Sequence, residues 1–468
     1  MRNRSRSCGQ AVRETLLAGC WSIAGAAAVV GTARASEFRL TDPACEAGCA
    51  PVVECADVGC SDGSCHDLSC HAVGGHGCAG RQTLLGDVGG LRSGLAESGV
   101  TVDLDLTQIY QGVATGGEEQ TGAYGGHSDL LLNFDFSKMG GPRGLFLKIR
   151  GEGNFGESIT EPAGVLLPPA IQTELPVSGE RTYAVTNFLF TQALSESFAV
   201  FAGKMDSLDG DLNAFAHGRG KTGFMNSAFV VNPVGLRTIP YSTLATGFSI
   251  LSGAEPIFTF AAWNPTDTST TSGFDELYEE GVTLSSELRL PTRFFDRPGH
   301  QLFAATWSSR DFVALEQDPR VLLPILGLPG TPIAQAGGSW SAYWNMDQYL
   351  VVDPNDETRG WGFFARYGAA DPETSPLAHF ASAGLGGSSL LPSRKADTWG
   401  IGYYYAWVGD NFVTNVLQLD DGQGIEMYYR AMLTPYFDVT PDLQVLDGSL
   451  PNEEEWALLL GVRANLRF

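Results

Sequence analysis

Lys148, Arg150 and Glu152 carry charge at alternate positions, and Lys204 and Asp206 repeat the spacing further on. Residues two apart share one face of a strand, so each set places its charges together on one side of a sheet. Arg219 adds a cation within a stretch, 207–240, that mixes Asp209, Asp211 and Lys221 with the apolar Phe215, Phe224, Met225 and Phe229. Charges of both signs on one face hold water and exchange hydrogen bonds with polar solutes. Catalysis needs more than that. No H-E-x-x-H motif occurs, and His127, His217, His300 and His379 are isolated. Pairs such as Asp103 and Asp105 read as hydration rather than as an acid and its base. No enzyme and no cofactor are expected.

A second cluster lies near the N-terminus. Cys55, Cys60, Cys65 and Cys70 recur every five residues, with His66 and His71 beside them. All nine cysteines precede residue 80, and seven follow a leader. In an exported chain disulfides are the default for such a segment. Soft-metal binding by these Cys and His residues is the sharper alternative, although the spacing matches no common zinc module. Having few large apolar residues, the segment cannot build a core and must be stapled or extended.

The leader has Arg2, Arg4, Arg6 and Arg13, an apolar run from Leu16 to Gly31, and Ala33-Arg34-Ala35 before Ser36. Cleavage after Ala35 is the preferred reading, and lipidation at Cys20 within Leu17-Ala-Gly-Cys20 is the competing one. The chain divides into 1–35, the leader; 36–80, the Cys/His segment; 81–99, a short amphipathic helix; and 100–468, the main domain. Leu84, Val88, Leu91 and Leu95 give the helix its apolar face, Asp87 caps it and Gly99 stops it.

From Val100 the period becomes two. Val102, Leu104 and Leu106 oppose Asp103 and Asp105, and Leu145, Leu147 and Ile149 oppose Lys148 and Arg150. Trp399, Ile401, Tyr403, Tyr405 and Trp407 make one aromatic face. The last stretch puts Trp456, Leu458, Leu460, Val462, Ala464, Leu466 and Phe468 on one side, with Arg463, Asn465 and Arg467 on the other. After the leader no apolar run is long enough for a helical span. Strands apolar on one face and wet on the other then point to a closed barrel in lipid, where every backbone group must be paired. The expected fold is all-β, a transmembrane outer-membrane barrel of about sixteen antiparallel strands, closed by pairing the last strand with the strand near Val100. Long loops are expected at Thr160–Glu180, Ser207–Pro240, Gln317–Gly338 and Asp371–Ala396, the second folding inward. The net charge of −24, with no basic stripe, excludes nucleic acid as a partner.

Several motifs resemble the carbohydrate-selective porins of the OprB-like family. They are Leu84-Leu-Gly-Asp-Val-Gly-Gly-Leu with the strand after it, Gly203-Lys-Met-Asp206, Asn213-Ala-Phe-Ala216, Phe224-Met-Asn-Ser-Ala-Phe229, Asn232-Pro233, Glu426-Met-Tyr-Tyr-Arg430, Thr440-Pro-Asp-Leu-Gln444, Gly461-Val-Arg463 and the terminal Phe468. They occur in the family's order from about Leu84 to Phe468. Val88 departs from the family's usual Trp, and the cysteine segment has no counterpart. The resemblance implies passive diffusion of small sugars through an outer-membrane pore, with outer-membrane lipid as surroundings. Lys148, Arg150, Glu152, Lys204, Asp206 and Arg219 become the candidates for lining the pore and touching the solute. It also implies that barrel assembly machinery reads Phe468 and leaves room for a homo-oligomer. The rival is a structural barrel attached to the envelope through its cysteines.

Overall fold

The computed structural model describes residues 81–468, apart from 178–181, 211, 254, 355 and 451–455. The leader and the Cys/His segment, with Cys55, Cys60, Cys65, Cys70, His66 and His71, lie outside the described residues. Sixteen strands form one closed antiparallel barrel in which every strand pairs with its neighbours in sequence. In order they are β1 (Val100–Thr115), β2 (Gly122–Asp135), β3 (Leu145–Gly156), β4 (Tyr183–Ser195), β5 (Phe198–Asp206), β6 (Ser242–Ser252), β7 (Glu255–Trp263) and β8 (Thr283–Phe294). The second half comprises β9 (Arg297–Val313), β10 (Gln335–Asp353), β11 (Asp356–Ala370), β12 (Leu377–Ser388), β13 (Thr398–Val408), β14 (Gly422–Thr434), β15 (Phe437–Asp447) and β16 (Trp456–Arg467).

Closure joins β1 to β16, with Asp105 opposite Arg467 and Gly112 opposite Leu460. This removes the sheet's edges, as a barrel in lipid requires. The faces follow the alternation of the sequence. In β16 Leu460 and Val462 are exposed on the outer wall, while Leu459, Arg463 and Asn465 are buried inside. In β13 Ile401, Tyr403 and Trp407 face out, and Gly400, Gly402 and Tyr404 face in.

The connections also alternate. One end carries tight turns such as 196–197, 295–296 and 435–436, while the other carries the long connections from β3 to β4, β5 to β6, β7 to β8 and β9 to β10. Barrels of this kind place short turns toward the periplasm and long loops outside. Both described chain ends lie at the short-turn end.

Two expectations are corrected. The helix does not span 81–99: only α1 (Leu91–Glu97) forms, and none of its residues is buried. Val88, Gly89 and Gly90 all have positive φ, which breaks the right-handed turn before Leu91. Asp87 accepts from the Ser93 amide and hydroxyl, and Leu85, Val88 and Leu91 stay exposed. The segment is tied to the barrel end instead. Leu84 N–H donates to the Arg467 carbonyl at 2.8 Å, and Arg92 donates to the Phe468 carbonyl at 2.6 Å. The second correction is Asp371–Ala396, expected as loop, which contains β12. Its outward Ala381 and Ala383 and inward Gly384 and Gly386 are too small to print an alternation of large apolar and polar residues.

Candidate functional site

The stretch between β5 and β6 enters the barrel and crosses to the far wall. Asn213 donates to Asn345 and to the Met346 carbonyl on β10. Arg366 of β11 donates to the carbonyls of Ala216 and Phe229. Arg463 of β16 holds the carbonyls of Gly220 and Gly223, and Glu426 of β14 accepts the amides of Met225 and Asn226. A loop buried away from water must pair its backbone groups with something, and wall side chains supply the partners. The shared motifs Asn213-Ala-Phe-Ala216, Phe224–Phe229, Glu426–Arg430 and Gly461–Arg463 are the two halves of this seat. The 157–177 stretch folds in as well, burying Ile159, Ala163, Val165 and Leu167 against the same loop. Sequence gave no sign of that second entry.

Along β11–β16 the seat is dry. Phe224 packs on Phe229, Tyr428 and Phe364 with ring centroids 4.7, 4.9 and 5.5 Å apart. The wall makes room by omitting side chains. A Cβ on Gly402 would lie 2.5 Å from the Phe229 ring, and one on Gly400 would lie 2.8 Å from the Phe224 ring. The inner face is thus not uniformly wet, as strict alternation would have it.

Toward β1–β5 the same loop meets charge. Gly218, Arg219 and Gly220 are consecutive left-handed residues, with φ of 90°, 54° and 75°. Such a backbone is costly for arginine and persists where contacts fix it. Here they aim the Arg219 guanidinium at three carboxylates: Glu152 at 2.6 Å, Asp206 at 2.5 Å and Asp209 at 2.9 Å. Arg150 contacts Asp206 at 2.9 Å, Asp209 at 2.5 Å and Asp129 at 3.2 Å. Lys148 reaches Asp209 at 2.6 Å, and Lys221 reaches Asp129 at 2.5 Å. Tyr241 donates to Glu152 at 2.6 Å, Thr186 also donates to it, and His127 stands 3.3 Å away. Burial alone would raise the Asp209 carboxyl, but Arg150, Lys148 and Arg219 outweigh it and hold it well below the usual carboxylate range.

Five of the six candidates therefore converge, but in two roles. The side chains of Glu152 and Asp206 are fully buried, so no solute can touch them, and they clamp Arg219 and Arg150. Lys148 and Asp209 are 14% and 12% exposed and form the wet rim with Lys221 and the more open Asp105. Lys204 does not join them, which corrects its expected inward placement. It pairs with Phe188 on the outward face of β5, and its ammonium is held by the carbonyls of Thr268, Ser269 and Thr271. Burial against that strap pairs a charge that lipid would not accept. Asp129, Asp209, Lys221 and Tyr241 complete the cluster beyond the six expected residues. The signal for Asp209 and Lys221 was their place in the inward loop, and for Asp129 its parity on β2 opposite Glu152.

The family model of the carbohydrate-selective porins, OprB family, matches residues 119–468. The chain belongs to that family. It is an outer-membrane porin for sugars, a channel whose wall crosses the membrane as strands. The high-pH structure of OprB from Pseudomonas putida is similar to it, with a TM-score of 0.73 at 19% identity, covering 83% of this chain and 99% of that one. The low-pH structure of the same protein gives a TM-score of 0.51 at 16% identity over 83% and 99%. No curated protein matches this chain.

Proposed function

We propose that sugars diffuse passively past the rim formed by Lys148, Asp209, Lys221 and Asp105. Buried Glu152, Asp206, Arg150 and Arg219 hold that rim in shape. The observation that carries the reading is Asp209, a loop carboxylate shared by Lys148 and Arg150 of β3 and by Arg219 of its own loop. The contact sets how far the loop stands from the wall. Donors and acceptors alternate along the rim, so a sugar hydroxyl leaving water finds a partner of either kind. The cations Lys148, Arg150, Arg219 and Lys221 face Asp105, Asp129, Glu152, Asp206 and Asp209, an excess of one negative charge, which leaves little net field to favour an ion over a neutral solute.

The test is single-channel conductance of the purified full chain in a planar bilayer, titrated with monosaccharides. Wild type should show saturable closure of the ion current by sugar. A Lys148→Gln, Asp209→Asn double variant should conduct yet need several-fold more sugar for half closure. An unchanged titration in that variant would remove the rim from the path. Assembly with further copies, and recognition of Phe468 by assembly machinery, belong to the same reading. They are tested by mass in mild detergent and by deleting Phe468, which should lower the amount of folded barrel.

A further inference from the structure

The short-turn end of the barrel has an exposed surface that the channel does not use. At the β8–β9 turn, Phe295 is 89% exposed and Phe294 51%. Phe295 and Asp296 have φ of 55° and 58°, an unfavourable backbone for a bulky residue, and the ring gains no packing within the chain in return. Arg293 and Arg297 flank the pair. The pattern recurs at two other turns of this end. Leu390 and Leu391 precede Arg394 and Lys395, and Lys138 and Arg143 flank the exposed Met139.

The two ends differ in where cations occur. The long connection 264–282 holds Asp267, Asp275, Glu276, Glu279 and Glu280 without a cation, and 409–421 holds Asp410, Asp420 and Asp421 without one. The short-turn end mixes both signs: Asp397 pairs with Arg394 at 2.6 Å and Asp353 with Arg359 at 2.9 Å, while Lys138 and Arg143 share the 136–144 turn with no acid. Phe294 continues the outward face of β8, on which Leu288 and Leu290 are exposed, and it stands next to Phe295 and close to Arg297 in sequence. An apolar tip beside a cation fits an acyl chain under an anionic phosphate.

We infer that the turns 136–144, 294–297 and 389–397 form a collar for anionic phospholipid of the periplasmic leaflet. Phe295 and Leu391 enter the acyl region, while Lys138, Arg143, Arg297 and Lys395 hold the headgroup phosphates. The test uses the full chain in phosphatidylcholine vesicles and spin-labelled phosphatidylglycerol or phosphatidylcholine as probes of boundary lipid. Wild type should favour the phosphatidylglycerol probe, by on the order of fivefold per engaged cation at low salt, and lose the preference in high salt. Lys138→Gln, Arg143→Gln, Arg297→Gln and Lys395→Gln together should abolish it, with each half of that set giving a partial loss should the fourfold variant not fold. Arg320→Gln, at the opposite end, should leave it intact. Equal association of both probes with wild type, or a preference surviving the fourfold change, overturns the inference. So does a preference reproduced by free phosphate competing at millimolar level, which would make the collar an anion site rather than a lipid one.

Discussion

Between β1 and β5 the inward loop meets the wall through ion pairs, while between β11 and β16 it meets it through rings and backbone carbonyls. One segment makes both contacts, so their difference separates what holds the loop from what a solute meets. On the dry side the loop's aromatic rings Phe224 and Phe229 are fully buried against the wall. These rings fill glycine seats, and Arg366 and Arg463 donate to loop carbonyls. The charged side is layered, with a buried base of Glu152 and Asp206 under a partly wet rim of Lys148 and Asp209. Buried ion pairs contribute little net stability, yet breaking one by removing a single partner is expensive.

The strongest way to break the comparison is Arg219→Met. It leaves Glu152 and Asp206 buried with fewer partners and should cost about 3–5 kcal/mol in loop anchoring. Single-channel records should become noisier with a larger mean conductance, and the folded band should be lost at lower temperature on electrophoresis. Phe224→Leu, on the dry side, should cost about 1–3 kcal/mol, read as a lower thermal midpoint. Its sugar titration should stay at the wild-type value, because no solute touches that ring. A shifted titration would mean that the dry side also faces the path.

Smaller effects sharpen the layering. The Asp209 carboxyl lies below its ordinary value, so the stability it gives is full above the unfolded pKa of 3.8 and is lost only as pH falls through its lower folded value. Sugar closure should therefore lose no contribution from Asp209 between about pH 8 and pH 5. Asp209→Asn should close with the same weakened sugar response at both ends of that range. The smallest effect on transport is expected from Lys204→Met. Its ammonium lies on the outward side under the 268–271 strap, so conductance and sugar titration should not change while the thermal midpoint falls.

The barrel was legible because lipid imposes a rule that the residues must print. Leu460 and Val462 alternate with Arg463 and Asn465 whatever the loops do. β12 escaped because Ala381, Ala383, Gly384 and Gly386 carry too little side chain to show a period. The site was legible as a set of charges but not as layers. Parity placed Arg150 and Glu152 on one face, but the distinction between fully buried Glu152 and slightly exposed Lys148 depends on where residues 207–241 come to rest. Lys204 was misplaced because only a strap from residues 268–271, distant in sequence, makes a charge tolerable on the outward face of β5. The apolar spacing of Leu84, Val88, Leu91 and Leu95 suits a longer helix, but Val88, Gly89 and Gly90 turn the backbone left-handed and confine it to Leu91–Glu97.

The central claim is that sugar is met by Lys148 and Asp209 on the charged side and not by the rings on the dry side. Sugar-driven swelling of liposomes containing wild type, the Lys148→Gln, Asp209→Asn variant and Phe224→Leu at equal folded amounts tests it directly. The account predicts unchanged sugar rates for Phe224→Leu and rates for the double variant that lose their dependence on sugar identity. Wild-type discrimination retained by the double variant, with discrimination lost in Phe224→Leu, would contradict it.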